Sequence, residues 1–430
     1  MKSLTGQLAL FAGSRYRSEI QALGIIVQGP NDQVRPAGVG CAVSHDGDAR
    51  PAVYGQSQGA GAGGPHVRAV EASNREASNG VRASEPIYAA LDLGTNNCRL
   101  LVARPSRRSF HVIDAFSRII RLGEGLGNSG QLSEAAMART LDALDVCADK
   151  IHRRSVTRSR LIATEACRIA RNGDEFLDRV RQRTGLTLEI VSRETEARLA
   201  VSGCSSLIDR KSGGALVFDI GGGSSELIWI DLGKQSGDED QSQLERVDVQ
   251  DRVAAWTSLP LGVVTLSERF GGRMVDHRVF EGMVDHVLEQ LMPFEHQHGI
   301  ASQLEARDAH LLGTSGTVTT VAGIHLGLKS YDRSRVDGCW LRSVDVRAVS
   351  GRLLATNYEG RVAEPCIGRD RADLMLAGCA ILEALMRTWP CSRLRVADRG
   401  LREGILSNLM AEDGVHRSNA QRRPMPWGAP

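Results

Sequence analysis

The sequence predicts an α/β protein built in two halves that face each other across a cleft. Two observations carry that prediction. From Pro86 onward, short apolar runs of strand character alternate with amphipathic stretches at helical spacing, which is the signature of mixed sheets packed with helices. In addition one local pattern occurs twice, with Asp92 and Asp219 lying 127 residues apart: YAALDLGTNN and LVFDIGGGSS each carry an apolar strand into Asp-apolar-Gly and turn through small or hydroxylated residues into another strand. Two such turns, each opening an α/β unit, imply a duplicated architecture with an acid-bearing loop from each half facing a common cleft.

Taken in order, residues 87–93, 99–103 and 111–116 predict three strands joined by tight turns, the second turn being the basic PSRRS. Ser133 is an N-cap, Glu134 lies in the first turn, and Ala136, Met137, Leu141, Leu144, Ala148 and Ile151 recur at helical spacing behind it. A strand at 160–163, a helix near 174–183, a strand at 186–191 and a helix from about 194 to 202 complete the first half. The second half opens with strands at 215–220 and 227–232, followed by a polar insert, GKQSGDEDQSQ, that reads as an exposed loop before 246–259. A helix over 278–297 precedes a strand at 310–312, which runs into the turn Gly313-Thr314-Ser315-Gly316-Thr317 and a helix beyond it. Helices over 344–358 and 370–389, a strand at 394–397 and a helix over 401–410 end the pattern. The chain thus divides into an extension over 1–85, a first lobe over 86–206, a second lobe over 207–411 and a polar tail over 412–430.

Composition narrows the class. Residues 1–85 are dominated by Gly, Ser, Ala, Gln and Asn, as in GQSQGAGAGGPH, and cannot bury enough apolar surface to offset chain entropy, so a disordered extension is expected there. With 42% hydrophobic residues and no apolar run near the roughly 18 residues of a membrane span, no membrane partner is expected. A formal net charge of +2 provides no global field for nucleic acid. Nine cysteines without a C-x-x-C pair read as reduced thiols in a cytoplasmic protein.

The second turn carries the chemistry. Gly221, Gly222 and Gly223 lower the barrier to positive φ and remove every Cβ, so that backbone N–H groups can point at a closely approaching phosphate. Asp219 and Glu226 bracket the turn, which makes sense if a hard cation such as Mg²⁺ sits between acids and phosphate. Taken alone, a tight hairpin with glycines for geometry and acids for solubility explains the stretch equally well.

Seven segments in order resemble one family. They are DLGTNNCRLL, ATEACRIARNG, VSRETEARLA, DIGGGSSEL, LPLGVVTLSERF, GTSGTVTT and ADRGLREGIL, together covering about 87–411. They are similar to the Ppx/GppA phosphatases, meaning exopolyphosphatases and guanosine pentaphosphate phosphohydrolases, within the sugar-kinase, heat-shock chaperone and actin superfamily. The resemblance implies two actin-like (ribonuclease H-like) lobes with mixed sheets and a cleft between them, in the short form without a C-terminal HD-type domain.

It also implies roles. Glu196, in S-x-E-x-E-A-R, becomes the base that orients and deprotonates water; a helix-start Glu favouring the macrodipole is the competing explanation. Arg168 becomes a clamp on phosphate oxygens, against a plain helix-surface arginine. Asp92, Asp219 and Glu226 are the candidates for placing Mg²⁺ or Mn²⁺. Gly94, Thr95 and Asn96, with Gly222, Gly223 and Ser224, offer donors to successive phosphates, as do Ser315, Gly316 and Thr317. Four positions depart from the family pattern: Glu165, Arg193, Thr195, and Arg399 beside Asp398. Cys98, Cys167 and Cys204 lie near the loops and read as packing residues. The expected substrate is inorganic polyphosphate, with guanosine penta- or tetraphosphate as the close competitor. A kinase lacks a convincing acceptor site and adenosine pocket, a non-catalytic sensor stays open because Glu165, Thr195 and Arg399 depart from the pattern, and a homodimer is allowed.

Overall fold

The first apolar run folds as β1 (Tyr88–Leu93), and every side chain except Asp92 is buried, which suits the centre of a sheet covered on both faces. Antiparallel β2 (Asn97–Pro105) pairs with one side of it and parallel β4 (Arg158–Ala163) with the other. Outside them lie β3 (Phe110–Ile119) and the two-residue β5 (Glu189–Ile190), giving the five-stranded order β3-β2-β1-β4-β5. The computed structural model describes residues 85–107, 109–233 and 249–415. The extension expected over 1–85, save its last residue, most of the polar insert, and the tail beyond 415 lie outside the described residues.

The second sheet repeats this plan. Its centre is β6 (Gly214–Ile220), flanked by antiparallel β7 (Ser225–Asp231) and parallel β9 (His310–Thr314) as β1 is flanked by β2 and β4. With β8 (Val253–Leu259), β10 (Trp340–Arg342) and β11 (Arg393–Ala397) the order is β10-β11-β9-β6-β7-β8. The two equivalent hairpins put Asp92 opposite Arg99 and Asp219 opposite Glu226.

Helices fill the faces. In the first half these are α1 (Glu134–Arg153), α2 (Glu165–Ile169), α3 (Gly173–Thr184) and α4 (Arg193–Cys204). Ser133 does cap α1, its side chain accepting from the Ala136 N–H. In the second half α5 (Val263–Phe270), α6 (His277–His298), α7 (Gly316–His325), α8 (Ser343–Ala355), α9 (Met375–Thr388) and α10 (Leu401–Glu412) follow. Several boundaries differ from expectation: β3 outruns the expected 111–116, and of the turn expected over 313–317 Gly313 and Thr314 belong to β9 and Gly316 and Thr317 to a helix. The strand at 186–191 shrinks to two residues. The helix expected over 344–358 ends at Ala355, because Asn357 caps a separate turn, Tyr358–Ala363, by accepting from the Gly360 N–H. The helix expected from 370 starts only at Met375, leaving 370–374 as a turn.

Two helices knit the sheets together. Helix α4 buries Ala197, Val201 and Cys204 against Val217, Ile228 and Leu312 of the second sheet. Helix α10 buries Ile405, Leu406 and Met410 against Tyr88, Leu101 and Ile162 of the first. Each large apolar side chain so placed contributes on the order of 1.5–3 kcal/mol. The two helices touch each other directly at glycine: a Cβ on Gly203 would collide with the Gly400 carbonyl, and one on Gly404 with that of Leu199.

Candidate active site

The duplicated turns meet face to face. The first is closed by the Gly94 N–H donating to the Asn97 carbonyl at 2.9 Å, the second by the Gly221 N–H donating to the Ser224 carbonyl at 2.9 Å. None of Gly221, Gly222 and Gly223 has a positive φ, so the left-handed backbone expected there does not form. Their glycine character serves close approach instead. A Cβ on Gly222 would stand 2.9 Å from Thr95 Cβ and 3.1 Å from Asn96 N, and one on Gly223 would stand 2.8 Å from Thr95 Oγ1. Only a loop without side chains leaves room for the opposing turn.

Between and beside these turns lies a cavity of about 770 Å³. Gly94, Thr95 and Asn96 line it from one half, and Gly222, Gly223 and Ser224 from the other. A third wall is the start of α7, where Ser315 Oγ accepts from the Val318 N–H at 3.1 Å and Gly316 and Thr317 line the space. A helix start of this kind leaves N–H groups free for an anion. The side-chain oxygens Oδ1 of Asn96 and Asn97 are buried without a hydrogen-bond partner, an opening for a donor that protein groups do not supply.

Among the carboxylates that line the same cavity are Asp92, Glu196, Asp219 and Glu226. Burial first, then the neighbouring Glu226, pushes Glu196 well above the ordinary carboxylate range, while Arg168 pulls it back. Asp219 is raised to about 7 by burial and then by Glu196. Glu226 is raised to about 7 by burial and then by Asp219, although Ser258 Oγ donates to it at 2.9 Å. Asp92 is raised by burial, with Arg99 acting against the shift. Carboxylates that raise one another in this way form a centre short of positive charge. No group of three or more His, Cys, Asp or Glu side chains among the described residues is arranged as a ready metal cage. Mg²⁺ does not require one, since it keeps several waters and takes one or two carboxylates plus substrate oxygens. The all-oxygen donors, their mutual repulsion and the cross-strand pairing of Asp219 with Glu226 fit such a hard cation.

Arg168 is placed differently from the expected clamp. Its Nη2 donates to Glu196 Oε2 at 2.9 Å and to Glu165 Oε2 at 2.8 Å, and its Nη1 donates to the Val191 carbonyl at 2.6 Å. The fork is thus committed to protein oxygens and holds Glu196. Two departures from the family pattern turn out to be partners, since Arg193 Nη2 donates to Glu165 Oε1 at 2.6 Å. Glu165 is buried, with its Cγ 3.2 Å from where a Cβ on Gly223 would sit. Thr195 joins the α4 cap, its N–H donating to Ser192 Oγ at 3.1 Å. Arg399 is bound to Asp337, and Asp398 accepts from Tyr331 Oη at 2.7 Å. Cys98, Cys167 and Cys204 are free and buried.

Sequence reasoning singled out Arg399 but missed the other arginines of this cavity, Arg99, Arg333, Arg369, Arg371 and Arg402. Arg99 was within reach of counting, because a hairpin closed by Gly94 and Asn97 puts the seventh residue after Asp92 directly across from it. Arg371 was hidden by the helix assigned from 370.

A two-sheet α/β body, with a cleft between turns that repeat one plan, defines an actin-like fold. Residues 101–413 match the model of the Ppx/GppA phosphatase family, and the chain belongs to that family. It is 30% identical over 336 residues to a guanosine-5'-triphosphate,3'-diphosphate pyrophosphatase of Photobacterium profundum, a match covering 77% of this chain and 61% of that protein. The chain therefore spans less than two thirds of that relative. A solved Ppx/GppA family member of Aquifex aeolicus shares 26% identity at a TM-score of 0.59, over 76% of this chain and 98% of that one. An exopolyphosphatase of Cytophaga hutchinsonii, at 22% identity and a TM-score of 0.64 over 76% and 98%, shares the fold.

Proposed function

We propose that the protein is an exopolyphosphatase, releasing the terminal phosphate of linear polyphosphate by attack of water activated at Glu196. The observation that carries this reading is the cavity itself, in which glycine turns and a helix start suited to phosphate surround a carboxylate whose proton affinity is raised by burial. A base tuned upward in this way takes a proton from water more readily than an ordinary carboxylate. Arg168 holds Glu196 Oε2 and leaves the other oxygen for water. As the water oxygen bonds to the terminal phosphorus, its proton passes to Glu196 and the anhydride bond breaks, leaving orthophosphate and a chain one unit shorter. The N–H groups of the turns and of α7 orient the chain. Held by Asp219 and Glu226, with Asp92 beside them, Mg²⁺ or Mn²⁺ would neutralise charge on the phosphate oxygens.

Glu196→Gln is expected to lower phosphate release by about 10²- to 10⁴-fold while polyphosphate binding persists. Activity equal to the parent removes Glu196 from the role. A second reading, hydrolysis of the 5'-terminal phosphate of guanosine pentaphosphate, is favoured by the name of the Photobacterium profundum relative. Release rates from long polyphosphate and from guanosine pentaphosphate, measured side by side, decide between them.

A further inference from the structure

We infer that Glu165, its charge balanced by Arg193, is a positioning residue that keeps Arg168 on Glu196 and off the substrate phosphates. This rests on the hydrolase activity proposed above and deepens it, by naming what decides whether the arginine beside the base serves the base or the substrate. The four side chains form a row of alternating charge. Arg193 Nη2 donates to Glu165 Oε1 at 2.6 Å and its Nε to Glu165 Oε2 at 3.3 Å. Arg168 Nε and Nη2 converge on Glu165 Oε2 at 3.0 and 2.8 Å, and the same Nη2 donates to Glu196 Oε2 at 2.9 Å. Arg168 Nη1 is fixed as well, on the carbonyl of Val191 just ahead of the Ser192 cap of α4, the helix that carries Glu196.

An acid at this place needs a reason. Glu165 and Glu196 line the cavity, whereas neither Arg168 nor Arg193 does. The Glu165 side chain is 3% exposed and packs against the second glycine turn. A carboxylate in that wall repels a polyanion, and the repulsion is strong where water is scarce. Arg193, 39% exposed, reaches in from the surface and neutralises the charge. Glu165 in turn occupies the Nε–Nη2 edge of Arg168, the edge with which a guanidinium forms two parallel bonds to an oxyanion. With that edge filled, Arg168 is held toward Glu196 and has no fork to offer a phosphate. A simple staple between α2 and α4 would need only the Glu165–Arg193 contact, and gives no reason for Arg168 to lie on the same carboxylate.

Charge and positioning separate on this geometry. Without Glu165 the edge of Arg168 is released and the wall gains positive charge, so substrate is held more tightly while Glu196 is held less well. Without Arg193 the arrangement around Glu196 persists, because Glu165 still holds Arg168, but the wall carries an uncompensated negative charge against the substrate. Removing both restores the balance of charge and leaves Arg168 unheld.

The test uses the full chain and inorganic tripolyphosphate with Mg²⁺. Steady-state phosphate release is measured for the parent, Glu165→Gln, Arg193→Gln and the double variant, and tripolyphosphate binding for the same changes in Glu196→Gln protein. Glu165→Gln is expected to lower kcat by about 10- to 100-fold, as loss of a charged hydrogen bond does. In the same variant KM should fall and tripolyphosphate bind about 3- to 30-fold tighter, the effect of one charge at close range in a partly buried site. Arg193→Gln should raise KM and weaken binding by a similar factor, with a smaller effect on kcat. The double variant should return KM to near the parent and keep the low kcat of Glu165→Gln, and it keeps the test open if the uncompensated carboxylate of Arg193→Gln prevents folding. A parental kcat in the double variant or in Glu165→Gln overturns the positioning role and leaves the hydrolase reading standing. So do KM shifts of the same sign in both single variants, or a lower melting temperature with KM unchanged throughout, which is what a staple gives. A parent that releases no phosphate overturns the hydrolase reading; opposite binding shifts in the two single variants then still support the restraint on Arg168, and equal ones overturn it too.

Discussion

His310, fully buried in β9, sets the entry to the strand that delivers Thr314 and Ser315 to the cavity. Its Nε2 accepts from the Asp209 N–H at 3.4 Å, and its Nδ1 lies 3.0 Å from Ser212 Oγ. A neutral ring satisfies both contacts. Burial, only partly opposed by Asp209, lowers its pKa to about 4, so the folded protein keeps the ring neutral while the unfolded chain protonates it near the ordinary 6.5. The unfolded state then binds more protons between those values. Stability from this group is complete above pH 6.5 and is lost as pH falls toward 4, by about 3 kcal/mol in all. Urea unfolding at pH 7.5, 6 and 5 should show this slope in the parent and a shallower one in His310→Gln; equal slopes would refute the assignment. At this same scale the sequence was least informative. Glu165 and Arg193 each looked like an isolated oddity, because residues 28 positions apart become a 2.6 Å pair only after α2 and α4 are folded against each other.

At the scale of elements the repeated hairpin was the legible part. Strand-turn-strand patterns place β1, β2, β6 and β7 directly, since side-chain alternation and turn chemistry are local properties. Less visible was what the helices would cover. Helix α4 follows the first sheet in sequence yet packs on the second, and α10 follows the second yet packs on the first, a long-range exchange that periodicity does not encode. Its visible trace is glycine. Gly404→Ala forces a methyl group into the Leu199 carbonyl, where both partners are backbone and neither can swing aside. The cost is expected at about 1–3 kcal/mol or more, seen as a lower melting temperature. Gly351→Ala is the control: it lies on α8 with nothing within 4 Å, and should stabilise by up to about 1 kcal/mol. Equal effects at the two sites would mean that the helix crossing is not tight.

Across the whole molecule, charge is what the two halves share. Asp92 comes from the first sheet, Asp219 and Glu226 from the second, and Glu196 from the helix that joins them. Their mutual repulsion opposes burial in one cavity, so the fold itself, and not only catalysis, should respond to a divalent cation. A ligand at 100 times its dissociation constant stabilises the folded state by about 2.7 kcal/mol, which for a protein of this size is a rise of several degrees. Thermal unfolding of the parent is therefore expected to move upward when EDTA is replaced by excess Mg²⁺. Asp219→Asn should reverse the order of the two proteins. Without cation it relieves a repulsion and melts above the parent; with Mg²⁺ it lacks one oxygen charge and melts below it. A parent that melts at the same temperature in EDTA and in Mg²⁺ would take the cation out of this cleft, and an Asp219→Asn shift of the same sign in both buffers would take Asp219 out of its binding. The crossing of the two orders separates a carboxylate that holds a cation from one that is merely buried, because only the first changes sign with the metal.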